Sequence, residues 1–488
     1  MWNNYRLDTD FEMIGIWTLP GYNLNSGISG KLTFKNNILL LDLYGDFNDL
    51  RADNEIQFFG VKLVIEEYII GFSQDGYTVI LENAIETNHK TRVPGFSSSQ
   101  FKVSKSIIMK INYSLYQISF EDLCSKFISK GLDAIECTSC LFSLRDMNQW
   151  MNSSVIKREE QEKYECIFYD LSVGEAEKFS VQEKNLLYMS DVVCKRSFNT
   201  LSEEHFWRLK SDIDDNLTLG ELKENMDLFK NLFQLFLDSP TEYTFIYFKV
   251  SIEGYIKESI PIHYIYSQYK SDEKTKINLF YTDIKDEFSS ILNNWYRKNE
   301  QLSLIIDNYL NDINTDYFSE SKLLNAIKNL EIYHRNFRDE TKSKPIDEEL
   351  EQSKEMVIKY IEENIEDSKY QKRFIRNIKY NPELTLNNRL TQLFRGLNQR
   401  VIDSFLKLPK KSPSSSIGSI VNSLVQTRNY YTHGDDITKY PQSITDTRKQ
   451  LEVTSMLYQI VKYFIFDELG ILNDKVIDNL INGKKEYL

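Results

Sequence analysis

The run SIGSIVNSLVQTRNYYTHGDD, Ser416 to Asp436, decides how the second half of the chain is read. Ile417, Ile420, Val421, Leu424 and Val425 supply the apolar face of a helix. Gly434 stands where a left-handed residue would close that helix. The spacing therefore predicts a helix ending at His433, with Arg428 and Asn429 near its end. The negative end of the helix dipole favours a charged imidazolium, as do Asp435 and Asp436. A histidine so placed can act as general acid or base. Arg428 and His433 diverge by about 140° on an ideal helix. They flank one groove only if a second surface packs against this end. A symmetric partner would supply such a surface and bring the pair twice into one cleft. The same residues also suit plain capping of helix carbonyls.

The neighbouring segments share this texture. DEFSSILNNWYRKNEQLSLIIDNYL, ESKLLNAIKNLEIYHRNFRDE, DEELEQSKEMVIKYIEENI, LTLNNRLTQLFRGLNQRVIDSFL and TDTRKQLEVTSMLYQIVKYFIFDEL repeat apolar residues at helical spacing. Loops between them carry Pro345, Pro382, Pro413 and Pro441. Residues 281–488 thus read as an all-α bundle of five to seven helices, with KKSPSSS (Lys410–Ser416) as a flexible loop inside it.

Residues 1–280 read as β-rich. KLTFKNNILLLDLYGDF has two apolar runs split at Lys35-Asn36-Asn37, and Gln74-Asp75-Gly76 marks a hairpin in the next segment. Such spacing predicts a sandwich or a partly open barrel. A mixed α/β segment follows, with a subdomain break near residue 155. Within it TLGELKENMDLFKNLFQLFL is an amphipathic helix and EYTFIYFKVSI a strand. The fold class is α+β.

Net charge is −13, which argues against a general nucleic-acid coat. The acidic excess lies in residues 1–290, with 30 Lys and Arg against 44 Asp and Glu; residues 291–488 are balanced at 29 against 28. Between Lys369 and Lys411 eleven basic residues, among them Lys372, Arg373, Arg376, Arg389, Arg395 and Arg400, face only Glu383 and Asp403. That surface can hold phosphates, or be an ordinary solvated helix face. Five cysteines do not make a disulfide framework. Cys137 and Cys140 form a single CxxC with no second pair, so buried thiols are the better reading than a metal or redox site. Asp212-Ile213-Asp214-Asp215 reads as a solvated turn. No signal peptide is evident, and the most apolar run, Ser455–Phe466, is too short for a bilayer and contains Lys462. These features predict a cytoplasmic protein. No Walker A, HExxH or G-x-S-x-G string is present.

Arg428-Asn429-Tyr430-Tyr431-Thr432-His433 resembles the R-x4-6-H motif of the HEPN superfamily, and NLEIYHRNF (Asn329–Phe337) is similar to an early helix of one HEPN branch. GIWTLPG (Gly15–Gly21), GISGKLTF (Gly27–Phe34), LDLYG (Leu41–Gly45), DGYTVILENA (Asp75–Ala84) and SLRDMNQWM (Ser143–Met151) precede them in order. Together these resemble the ApeA-type anti-phage proteins, a β-rich domain followed by a HEPN domain. The resemblance implies a metal-independent endoribonuclease without cofactor, cutting host RNA, tRNA above all, and working as a homodimer or higher even oligomer. It assigns catalysis to Arg428, Asn429 and His433, and phage-derived triggers or inhibitors become expected partners. Lys372, Arg373, Arg376, Arg395, Tyr430 and Tyr431 are candidate RNA contacts, the two tyrosines suiting core packing better. Glu331, His334 and Arg335 suit helix-surface pairs better than support of the Arg428 site. A non-catalytic HEPN module that dimerises and holds RNA or a nucleotide is the alternative. The acidic β-rich half reads as a sensor or regulator. Nothing in the sequence favours a glycan-type ligand for it.

Overall fold

The computed structural model describes residues 5–47, 64–90, 95, 97–154, 156–161, 166–171, 176–196, 201–213, 215–252, 256–268, 277, 279–315, 317–339, 348–379, 384–406, 413–434 and 436–482. The chain divides into two units, Met1–Arg297 and Lys298–Leu488.

Unit 1 begins with β1 (Phe11–Thr18), β2 (Ile28–Lys35), β3 (Ile38–Leu43), β4 (Ile65–Ser73), β5 (Tyr77–Lys90) and β6 (Ser98–Lys110). They pair antiparallel in the order β6–β3–β2–β1–β4–β5, and β5 returns to β6. The barrel form is therefore the one adopted, and the β5–β6 ladder closes it without a free edge. The Asn36-Asn37 turn has both residues left-handed, at φ 50° and 61°, as a tight β2–β3 hairpin requires. Trp17 is fully buried. A Cβ on Gly71 would run into its indole ring, and one on Gly30 would stand 3.0 Å from it. This close approach accounts for Gly30 of the quoted GISGKLTF motif and for Gly71 of β4. Gly71→Ala should cost about 1–3 kcal/mol through overpacking; an unchanged urea midpoint would show that the indole has room to move.

The chain continues through α1 (Tyr113–Tyr116), α2 (Phe120–Ser129), β7 (Glu136–Leu144), α3 (Met147–Met151), the hairpin β8 (Ile156–Gln161) and β9 (Cys166–Leu171), β10 (Lys178–Val181), β11 (Leu186–Arg196), β12 (Leu201–Ser211), β13 (Leu217–Thr218), α4 (Leu219–Leu237), β14 (Tyr243–Ile252) and β15 (Ile256–Tyr266). The order β10–β11–β12–β7–β14–β15–β6 extends the sheet beyond the barrel. Strand β6 belongs to both parts. Ser99–Val103 pairs with β3, and Lys105–Met109 pairs with β15. Helix α4 opens with a Thr218–Glu221 capping box and lays Phe229 against Phe142, Tyr188 and Trp207 on one sheet face. Cys137 and Cys140 are buried, free thiols of β7, and burial pushes both well above the usual thiol range. Asp212, Ile213 and Asp215 lie in an exposed turn; Asp214 lies outside the described residues.

His263 is buried edge-on to Tyr5, Phe245 and Tyr247. Burial lowers its pKa from 6.5 to about 4, so the folded state holds it neutral. A depressed histidine contributes its stability fully above the unfolded value and loses it as pH falls from 6.5 toward 4. The loss should reach about 3 kcal/mol. His263→Leu should flatten the melting temperature across that window; an equally steep acid slope in the variant would assign the sensitivity elsewhere.

Helix α5 (Phe288–Ile313) runs across the division between the units. Its first turns pack into unit 1, where Trp295 Nε1 donates to the Leu228 carbonyl at 3.2 Å. Unit 2 then carries α6 (Glu320–Tyr333), a π-turn at His334–Arg338, α7 (Glu348–Asn364), α8 (Ser368–Lys379), α9 (Leu386–Arg395), α10 (Gln399–Val401), α11 (Pro413–His433), α12 (Thr447–Leu469) and α13 (Asp474–Asn482). The described residues from α5 onward hold eight helices of nine residues or more, above the expected five to seven. α8 and α13 are the additions. In α8 the half-buried stripe is only Gln371, Ile375 and Ile378, too thin to stand out among its basic residues. The expected flexible loop at Lys410–Ser416 also needs correction. Pro413–Ser416 form the first turn of α11, where a proline loses no intrahelical hydrogen bond. Lys410–Ser412 lie outside the described residues, as do Pro345 and Pro382. α6 packs along α12, and α9 along α11.

Candidate functional site

Helix α11 ends where its sequence pattern predicts. Gly434 is left-handed at φ +64°, and its N–H donates to the Tyr430 carbonyl at 3.0 Å. His433 is therefore the last helical residue, and it is exposed. Arg428 and Asn429 are half-buried, and Arg428 Nη1 donates to Asn429 Oδ1 at 3.2 Å. Among the described residues neither Arg428 nor His433 forms an ion pair with a carboxylate. Asp436 is turned away to cap the short helix Ile437–Lys439, accepting from the Thr438 N–H at 2.8 Å. That bond lowers the Asp436 pKa. Asp435 lies outside the described residues.

The end of α11 is braced from the other side. Thr427 is buried, and its Oγ1 accepts from the Ile444 N–H at 2.8 Å. Gln442 is tied to Asn422 and to Gln426, each at 2.7–2.8 Å. Buried Gln450 of α12 donates to the Tyr431 hydroxyl at 2.7 Å and to the Ile444 carbonyl at 2.9 Å. Tyr430 packs edge-on against Tyr431, ring centroids 4.9 Å apart. This bracing holds the last two turns of α11 rigid from behind, the condition for aiming an arginine and a histidine.

The other named residues lie apart from this end. Lys372, Arg373 and Arg376 are exposed on α8, which packs on α7. Arg395 is exposed in the last turn of α9. Arg400 is engaged by Asp474 and Asp478 of α13. Lys407, Lys410 and Lys411 lie outside the described residues.

Residues 12–295 match the family model for ApeA N-terminal domain 1, more than half of the chain. Residues 324–475 match the model for Apea-like HEPN. The chain belongs to the ApeA family. No curated protein and no solved structure matches it. An ApeA N-terminal domain joined to an Apea-like HEPN domain marks a HEPN-type anti-phage effector, and HEPN domains are commonly RNase-related, bind RNA and dimerise. The ApeA N-terminal match covers the barrel and the sheet extension together, and it reaches into α5. Among the described residues no helix is long and apolar enough to cross a membrane. Nor does any group of three or more His, Cys, Asp or Glu stand where it could hold a metal ion.

The HEPN domain also hides a polar network that the sequence does not announce. His334 and Arg389 are buried at 0% and 1% exposure, so neither belongs to the surface. Arg389 was expected among the surface cations and His334 among the helix-surface pairs; tertiary packing overrides both. Arg389 Nη1 reaches Asp339 at 2.7 Å and His334 Nδ1 at 3.2 Å, while its Nε donates to the Leu384 carbonyl at 2.9 Å. Since Nδ1 accepts, the ring proton sits on Nε2, which donates to Gln392 Oε1 at 2.5 Å. The network pins the π-turn after α6 to α9, and α9 packs on α11. Glu331 and Arg335 do form the expected helix-surface pair, at 3.0 Å.

Proposed function

We propose that this chain is an anti-phage endoribonuclease that cuts host RNA, tRNA above all, at the end of α11. The observation that carries the reading is the exposed His433 closed off by left-handed Gly434, with Arg428 and Asn429 just before it and no carboxylate holding the arginine among the described residues. RNA brings its own nucleophile. A base takes the proton of the 2′-hydroxyl, whose oxygen attacks the adjacent phosphorus. An acid gives a proton to the departing 5′-oxygen. His433 serves as one of these and the copy of His433 in a second chain as the other. Arg428 holds the phosphate and balances the charge that builds on its oxygens, which a planar guanidinium does well. Asn429, already bonded to Arg428, orients that group. The products are a 2′,3′-cyclic phosphate and a 5′-hydroxyl, with no metal required.

On this reading α8 is a grip for the substrate. Lys372, Arg373 and Arg376 are exposed beside Tyr370 and Phe374, which are 53% and 47% exposed. Basic groups interleaved with open aromatic rings suit single-stranded RNA. Arg395 adds a further cation at the end of α9, and Tyr430 and Tyr431 brace the site. Unit 1 acts as the sensor or regulator that answers a phage-derived trigger. The chain works as a homodimer in the cytoplasm.

The test is incubation of wild type and His433→Ala with total tRNA in EDTA, with mapping of the ends. Cleavage by wild type alone, leaving cyclic phosphates, supports the reading. Full cleavage by His433→Ala would end it.

A further inference from the structure

The extended sheet of unit 1 has a second face with a different chemistry. Phe142 and Trp207 point toward α4, so their strand neighbours Leu141 and Arg208 point away from it. The far face is apolar at one end, where Leu141, Phe206, Phe245 and Tyr247 form a buried cluster. Arg6 covers that end, its guanidinium 5.5 Å above the Phe245 ring and paired with Glu204 at 2.6 Å.

The other end of the same face is basic and concave. Arg208 stands opposite Leu141 in the β12–β7 register, which puts Lys210 beside Ser139 one step further along. Lys249 of β14 stands opposite Ser139 from the other side. One cross-strand row therefore reads Lys210, Ser139, Lys249. With strands spaced about 4.8 Å apart, the two lysine backbones lie about 10 Å apart across the serine. They line a recess of about 460 Å³ together with Thr138, Ser139, Ser211, Asn216 and Ser259. Arg208 adds a third cation at its edge, held by Asp191 at 2.7 Å, and Asp215 is the one carboxylate in the lining.

We propose that this recess is a binding site for a small phosphate-bearing ligand. Lys210 and Lys249 reach the recess from its two sides, so an anion seated between them is attracted by both. Lys249 forms no ion pair with a carboxylate among the described residues. The hydroxyl and amide groups beside it are the donors that phosphate oxygens accept from. The recess has the size of ordinary small-ligand sites. Its charge also runs against its surroundings, because residues 1–290 carry the whole acidic excess of the chain. An acidic unit repels long polyanions such as RNA, whereas a compact phosphate can enter a local basic recess. The inference stands apart from the ribonuclease reading, since it concerns binding to unit 1 alone.

The test is titration calorimetry of the full chain with inorganic phosphate, pyrophosphate, AMP and ATP, repeated with a tRNA competitor. Binding of at least one phosphate probe is expected. Lys249→Gln should weaken it about tenfold, the loss of one charge-assisted contact. Lys249→Arg, which keeps the charge, should bind within about threefold of wild type, and Lys184→Gln on an exposed turn should change nothing. Preference for ATP or AMP over inorganic phosphate would name a nucleotide as the source; equal binding would name phosphate itself. No binding of any probe, equal loss in Lys184→Gln, or displacement by tRNA through Lys249 would overturn the proposal.

Discussion

His433→Ala should lower RNA cleavage by about 10²–10⁴-fold, the usual worth of a positioned acid or base. Its fold should be unaffected, because the side chain is exposed and makes no ion pair among the described residues. The melting temperature should move by no more than an ordinary surface substitution allows, within about 0.5 kcal/mol. Arg428→Ala should cost about 10²–10³-fold, as removal of a group that balances transition-state charge does. Arg428→Lys should recover only part of that loss, because an ammonium lacks the forked geometry for phosphate. The decisive pattern is that activity falls while tRNA binding by His433→Ala persists. A variant that loses binding and cleavage together would favour the non-catalytic module instead.

Arg389→Met should be the most damaging single change in the HEPN domain, at about 3–5 kcal/mol. The substitution leaves Asp339 buried without this cation and removes the donor to His334 Nδ1. A domain of ordinary stability, about 5–15 kcal/mol, would retain little margin. The double variant Arg389→Met with Asp339→Leu should be less damaging than either single change, since no buried charge is then stranded. Urea unfolding of the three variants measures this. Additive losses would mean that the pair is held by its separate neighbours rather than by itself. Because the network pins the π-turn to α9, and α9 packs on α11, a milder variant such as Gln392→Ala should also reduce cleavage with little loss of fold.

Local pattern accounts for much of what was legible. The α4 helix was readable from its apolar stripe. The turns at Asn36-Asn37 and Gly76 were readable because few residue types accept a left-handed backbone. α8 was not, because its face toward α7 is thin. Barrel closure was not either, since it depends on β5 meeting β6 while β3 meets the same strand about sixty residues away in sequence, Leu39 against Val103. Of the site, the Arg428–His433 spacing and the glycine stop were plain. Thr427 and Gln450, which brace it, carried no signal, because each looks like an ordinary helix residue until its partner is known.

The sequence by itself determined the α+β division, the order of the motifs and the position of His433 one residue before a left-handed glycine. All of these rest on backbone preferences and periodicities acting over a few residues. Only the tertiary structure decided that Arg389 and His334 are buried, that β6 serves both the barrel and the sheet extension, and that Lys210 and Lys249 flank one serine. Those outcomes depend on which distant segments meet. A lysine or arginine carries no local mark of whether water, a carboxylate or another cation will stand beside it.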